Sequence, residues 1–531
     1  MASKTLFKSL VGKLLPKTDT VNEAGGIAYV MTPQHALAQY AATGCLGSTF
    51  YASADEQLGV VLKLTQTVEP EFIARTAIYA RQSGFMKDMP ALLCAVLSVK
   101  SPGLMAEIFD RVIDDGRMLR NFVQIMRSGA VGRKSLGTLP KRMVKQWIEH
   151  RTDPQLFRAS VGNDPSLADI VKMAHPRPQS PSRAALFGYL IGREPVDGGS
   201  WTRDDLPPLV KEFEAFKRGE TKVVPDVPFQ MITALPLGTA EWKAIARQAP
   251  WQMTRMNLNT FARHGVFDGE DGAEMTKLIA NRLRDPQAIA RSKVFPYQLM
   301  VAYTQADANV PAEVREALQD AMEVAISNVP AIDGKVYVFP DVSGSMQSPV
   351  TGHRKGATTA VRCLDVAALV AAAVLRVNRS AEVIPFSTEI VPCTLNPRDS
   401  VMTNAGKLAN LPSGGTNCSA PLMELNRRKA TGALCVYVSD CESWVDSPRY
   451  GIFGGSATAT MKEWETFKQR SPGAKLVCID IQPYGTTQMQ ERNDILNIGG
   501  FSDRVFDVIA KFADGSLDAE HWVGVINRVS I

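Results

Sequence analysis

After Pro330 the chain repeats one arrangement four times, a short apolar segment followed by a stretch long enough for a helix. The segments are Lys335-Val-Tyr-Val-Phe339, Glu382-Val-Ile-Pro-Phe386, Ala433-Leu-Cys-Val-Tyr-Val438 and Lys475-Leu-Val-Cys-Ile-Asp-Ile481. Each is too short for a helix, rich in β-branched and aromatic residues, and apolar on both faces. Strands buried on both sides and alternating with helices specify a doubly wound, mostly parallel sheet in a Rossmann-like α/β domain. The apolar stretch from Thr358 to Val377 reads as one of its covering helices. Ligands of such sheets bind beyond the carboxyl ends of the strands, so the residues that follow each strand carry the chemistry.

Directly after the first strand stands Asp341-Val-Ser343-Gly-Ser345, one carboxylate and two hydroxyls at alternate positions of a tight loop. Ser413-Gly-Gly-Thr416 lies further along, and Ser439-Asp440 follows the strand ending at Val438. Three loops at one edge of a parallel sheet can converge on one point. Asp341, Ser343, Ser345, Thr416 and Asp440 are hard oxygen donors with few carboxylates, a set suited to Mg2+, with Mn2+ or Ca2+ as alternatives. With no His or Cys in the set, zinc is disfavoured. The pattern resembles the metal-ion-dependent adhesion site of the von Willebrand factor A family, where DxSxS, a distant Thr and a distant Asp hold an ion. The resemblance implies that Asp341, Ser343 and Ser345 bind directly or through water, that Thr416 coordinates from the second loop, and that Asp440 supports from the third. It also implies that a partner's carboxylate often completes the shell.

From about Pro33 to Ser327 the grammar is different, helix after helix broken at Gly and Pro with almost no alternation of period two. At 531 residues two or more domains are expected. Many short helices on short loops fit a stacked α-solenoid, although the absence of a strict sequence period leaves an irregular bundle open. We divide the chain into a tail over 1–20, a helical domain over 21–330 and an α/β domain over 331–531.

The net charge of +5 is too mild to identify a polyanion partner. Local clustering is more informative: Arg117 to Lys145 contains eight Lys or Arg and no acid. Lys141, Arg142 and Lys145 share one helix face by i, i+1, i+4 spacing and are placed to neutralise phosphates. A solvated face paired with acids from elsewhere is the alternative.

Gly44-Cys-Leu-Gly-Ser48, Gly129-Ala-Val-Gly132-Arg133-Lys134, Leu139-Pro-Lys141-Arg142, Ala174-His175-Pro-Arg177-Pro178 and Phe295-Pro-Tyr-Gln298 resemble, in order, landmarks of the TROVE domain of Ro autoantigen proteins. In that family a ring of HEAT-like helical repeats precedes a von Willebrand factor A domain, so the resemblance covers nearly the whole chain. It implies binding of small noncoding Y RNA and of misfolded or structured RNA with single-stranded ends. For bacterial members it also implies a link to the exonuclease polynucleotide phosphorylase. Carried onto this sequence, it points to Arg133, Lys134, Lys141, Arg142, Lys145, Lys172, His175 and Arg177 as RNA contacts. Read without it, His175 before Pro176 is a helix cap or a satisfied core histidine.

Catalysis is disfavoured, since no GxSxG elbow and no GxxxxGK[ST] phosphate loop is present. The competing function is a metal-dependent protein-binding scaffold. The eight cysteines form no CxxC pair and read as buried free thiols. The longest apolar run, Val366 to Leu375, is about half the ~20 residues of a membrane span. Leu6, Phe7, Leu10, Val11 and Leu14 alternate with Lys4, Lys8, Lys13 and Lys17 at helical spacing, without a continuous signal-peptide core. A cytoplasmic protein that neither spans nor enters a membrane is expected.

Overall fold

The computed structural model describes residues 15–194, 201–292, 294, 296–327, 329–353, 361–447, 457–500, 502, 504–517 and 520–531. Leu6 to Leu14, Phe295 and the first residues of the expected helix at Thr358 lie outside them. Two compact units result, one of the chain up to Val68 with Ile326–Arg528, the other of Glu69–Ala325 with Val529–Ile531.

The first unit is built on a sheet of β3 (Val336–Pro340), β4 (Glu382–Val383), β5 (Leu434–Ser439), β6 (Lys475–Asp480) and β8 (Ile495–Gly499), in the order β4-β3-β5-β6-β8 with every pair parallel. Alternate residues of the strands supply the two faces. Tyr337, Phe339, Cys435, Tyr437, Leu476 and Cys478 enter a core with Leu422, Leu425, Met461, Trp464 and Phe467. The other residues of the strands, Val338, Val436 and Val438 among them, are equally buried, and the helix Cys363–Val377 packs on β3 and β5. The Glu382 segment forms only two residues of ladder. Ile384 and Phe386 nevertheless continue it, their N–H groups donating to Val338 and Pro340 at 2.8 and 3.1 Å. The strand order reverses between β3 and β5, the position where a doubly wound sheet opens a crevice.

One expectation is corrected here. Residues 21–68, grouped by sequence with the helical domain, fall in the same compact unit as the sheet, as does Thr20 of the expected tail. β1 (Thr20–Val21) and β2 (Ile27–Val30) form an antiparallel hairpin, and β2 pairs in turn with β7 (Thr486–Thr487). The helix Pro33–Thr43, capped by the Thr32 hydroxyl and started by Pro33, packs against β8. At Gly26 an added Cβ would lie 2.0 Å from the Ser443 carbonyl oxygen. Gly26→Ala should therefore cost about 3 kcal/mol or loosen the hairpin, read as a lowered unfolding midpoint and new protease cleavage before Pro33.

Glu69–Ala325 is helical, as the sequence predicts. Pro70–Gln82, Asp88–Lys100, Pro102–Val112, Gly116–Ser128 and Thr138–His150 each pack on the next helix or the next but one. That layering of helix pairs is the arrangement of a helical-repeat stack. The eight cysteines are free thiols; six are buried, while Cys45 and Cys393 are partly exposed. No helix among the described residues is long and apolar enough to cross a membrane.

Candidate functional site

The five oxygen-bearing residues named from sequence meet at the carboxyl edge of β3 and β5. Backbone hydrogen bonds lock the three loops together. Gly344 N–H donates to the Gly414 carbonyl at 2.9 Å, and Trp444 and Val445 N–H both donate to the Thr416 carbonyl at 3.1 and 3.2 Å. Asp341 is held at both oxygens, Oδ1 accepting from Ser343 N–H at 2.8 Å and Oδ2 from the Ser439 hydroxyl at 2.6 Å. Ser343 Oγ and Ser345 Oγ are 3.3 Å apart, and the Ser345 hydroxyl near Asp440 works against the rise of that carboxyl's pKa. Ser439, adjacent to one expected ligand, is thus a positioning residue for another, a role its place at a strand end did not reveal.

Burial holds both carboxyls above their ordinary range, and the Asp440 charge adds to the effect at Asp341. Two carboxylates buried beside each other with no cation among them are costly, and a divalent ion supplies the missing opposite charge. The donor set fits such an ion: hydroxyls of Ser343, Ser345 and Thr416 with two carboxylates. Among the described residues no cluster of three or more His, Cys, Asp or Glu is arranged for a metal, so an ion here rests on the hydroxyls. A bound divalent cation would supply fixed positive charge with a position open to an outside oxygen ligand.

Two further acids lie near this edge. Asp480, in register with Ser439, is buried and pushed up to about 7, chiefly by that burial and further by the Asp440 charge. Glu491 is pushed up to about 7, chiefly by burial, and its Oε2 lies 3.4 Å from Nδ1 of His35, whose imidazole burial lowers to about 4.

The His35 and Glu491 shifts act on stability with opposite signs. His35 accepts a proton near 6.5 when unfolded but near 4 when folded, so stability falls as pH drops through that interval, by about 3 kcal/mol in all. Glu491, raised when folded, contributes stability below its unfolded value near 4.5 that is lost as pH rises toward 7. Its side chain is 26% exposed, so solvent screening makes this the smaller arm. Glu491→Gln should therefore unmask the histidine. The variant's melting temperature, compared with the parent's, should drop further at pH 4.5 than at pH 7.5, and an equal difference at both would refute the pairing.

In the helical unit the basic residues gather from three elements. Lys141 and Arg142 are exposed on the helix Thr138–His150, and Lys172 is exposed on Leu167–Ala174, which packs against it. Glu149 joins the elements, its Oε1 lying 3.8 Å from Lys145 Nζ and accepting from Arg177 N–H at 3.2 Å. Lys145 is therefore partly neutralised within its own helix, unlike its two neighbours. Lys134 is exposed and Arg133 half-buried in the loop before the helix. His175 caps Leu167–Ala174 in the left-handed conformation, φ 53°, with its N–H donating to the Val171 carbonyl and its ring exposed. The capping alternative thus describes its backbone, while the imidazole stays available.

The chain thus combines a helical unit with an α/β unit of the von Willebrand factor A type. Residues 335–513 match the family model described as the Ro60 vWA domain. Over 97% of its length the chain is 24% identical to the whole of RNA-binding protein RO60 of Deinococcus radiodurans. The crystal structure of the Deinococcus radiodurans RO (RSR) protein superposes with a TM-score of 0.59 at 20% identity, covering 92% of this chain and all of that one. Residues 335–513 are thus of the Ro60 vWA type, and the chain as a whole is similar to a bacterial Ro protein.

Proposed function

We propose that this chain is an RNA-binding protein that works by binding rather than catalysis. Its ligands in this reading are a small noncoding Y RNA and misfolded or structured RNA with single-stranded ends, passed to an exonuclease such as polynucleotide phosphorylase in cytoplasmic RNA quality control. The observation that carries the reading is similarity along 97% of the chain to a protein named for RNA binding. The basic surface of Arg133, Lys134, Lys141, Arg142, Lys172, His175 and Arg177 supports it, because exposed cations on adjoining elements track a phosphate backbone. In the same reading Asp341, Ser343, Ser345, Thr416 and Asp440 hold Mg2+, or Mn2+ or Ca2+ in its place.

Crosslinking in cells followed by sequencing of bound RNA tests the proposal. Enrichment of a few structured small RNAs is the expected result. Recovery of random messenger fragments alone, with a purified protein free of nucleic acid absorbance, would instead favour the metal-dependent protein scaffold.

A further inference from the structure

The helical unit holds a cleft of about 320 Å3 whose lining includes Asp114, Asp115, Trp147, Arg151, Gln155 and Arg158. That volume stands at the lower end of the ~300 to 1,000 Å3 of small-molecule sites, so the cleft accepts one compact group. Its wall is rigid. Trp147, near the end of the helix Thr138–His150, is 2% exposed, and its Nε1–H donates to the Ile113 carbonyl at 2.6 Å. One turn on, the Arg151 guanidinium lies over the indole, 4.6 Å from the ring centroid. The Arg151 main chain is fixed as well, its carbonyl accepting from Arg183 Nη2 at 2.6 Å.

The other charges of the cleft are matched. Arg81 Nη2 lies 2.5 Å from Asp114 Oδ1 and 3.0 Å from Asp115 Oδ2, and Arg158 Nη2 lies 2.5 Å from Asp226 Oδ2. Among the described residues Arg151 has no carboxylate partner, and its hydrogen bond to the Asp114 carbonyl is long, 3.4 Å. A planar fork of N–H donors therefore stands unspent beside an acceptor carboxylate. A phosphate in the cleft would meet two carboxylates, and a cation would meet two guanidiniums. A neutral planar ring with acceptors on one edge and donors on the next satisfies both. Guanine is such a ring. Its O6 and N7 suit an arginine fork, and the adjoining N1–H and N2–H donate to a carboxylate.

We propose that this cleft takes one unstacked guanine of single-stranded RNA, with the Arg151 fork, held on Trp147, donating to O6 and N7 and Asp114 accepting from N1–H and N2–H. This rests on the RNA reading above and gives it a sequence preference, since specific readers of RNA bond the edges of splayed-out bases. Lys141 lies on the same helix as Trp147, about 9 Å back along its axis. One strand therefore reaches both.

The probes are a short oligouridine, the same strand with one central guanine, and the same strand with one central adenine, bound to the full-length chain and read by fluorescence anisotropy. The parent should bind the guanine strand roughly tenfold more tightly than either of the others, the discrimination of one bidentate contact. Arg151→Lys keeps the charge and loses the fork. It should erase the preference while leaving oligouridine affinity and its salt slope unchanged. Asp114→Asn, in which Arg81 keeps Asp115 as ion partner, should cut the preference severalfold. Equal binding of the guanine and adenine strands by the parent overturns the proposal and leaves RNA binding standing, as does a guanine preference that survives in both folded variants. Failure of the parent to bind any of the strands overturns the single-stranded part of the RNA reading, and the cleft assignment with it.

Discussion

Asp341→Asn in the full-length chain should abolish binding of magnesium or manganese and at the same time make the ion-free protein more stable. The two effects share one cause. Asp341 and Asp440 are buried together, and burial holds both carboxyls above their ordinary range. A carboxyl whose folded pKa is raised contributes stability when protonated and loses it as pH climbs from the ordinary carboxylate range toward neutrality. Asparagine carries no charge to desolvate, keeps an oxygen for Ser343 N–H, and offers an amide to which the Ser439 hydroxyl can turn as acceptor. At pH 8 the ion-free variant should gain about 2 kcal/mol over the parent, and the gain should vanish near pH 4. Millimolar Mg2+ should raise the parent's melting temperature and leave the variant's unchanged. Equal Mg2+ stabilisation of both proteins would falsify the assignment of this loop to the ion.

That experiment needs the whole chain for a structural reason. A fragment over 331–531 would lack the hairpin of β1 and β2, whose turn is tied to the third loop. Asn22 Nδ2 donates to the Ser443 carbonyl at 2.8 Å, and Ala24 N–H donates to Glu442 Oε2 at 3.2 Å. Loss of ion binding in such a fragment would report a missing wall as readily as a missing ligand.

What the sequence disclosed and what it hid divide along the range of the interactions. DxSxS is local, the apolar runs before it and before Ser439-Asp440 mark strands, and parallel topology then forces both strand ends to one edge, so the meeting of these loops was legible. The place of residues 21–68 was not. β1 and β7 are two residues each, below the length at which alternation registers, and the helix Pro33–Thr43 has an apolar face that says nothing of which partner covers it. Lys145 illustrates a smaller loss: i, i+1, i+4 spacing placed it beside Lys141 and Arg142, but Glu149 one turn on takes part of its charge.

That pairing sharpens the expected result for the basic surface. Replacing Lys141, Arg142 and Lys145 together by Gln should weaken binding of a Y-like RNA and flatten the dependence of log affinity on log salt. Each phosphate contact contributes about 0.7 to 0.9 to that slope. Lys141 and Arg142 are exposed and should count fully, whereas Lys145 must leave Glu149 to reach a phosphate and should count for less, so the slope should fall by roughly two rather than three contacts. Lys145→Gln alone should then move the slope least of the three single variants. The fold should hardly respond, since Gln forms helix nearly as well as Lys or Arg and an exposed i, i+4 pair is worth under about 1 kcal/mol. His175→Ala should lower affinity by a smaller amount, since its exposed ring adjoins Lys172 and Arg177. A folded triple variant with the parent's salt slope would place the RNA elsewhere and leave these cations as a solvated face of the repeat stack.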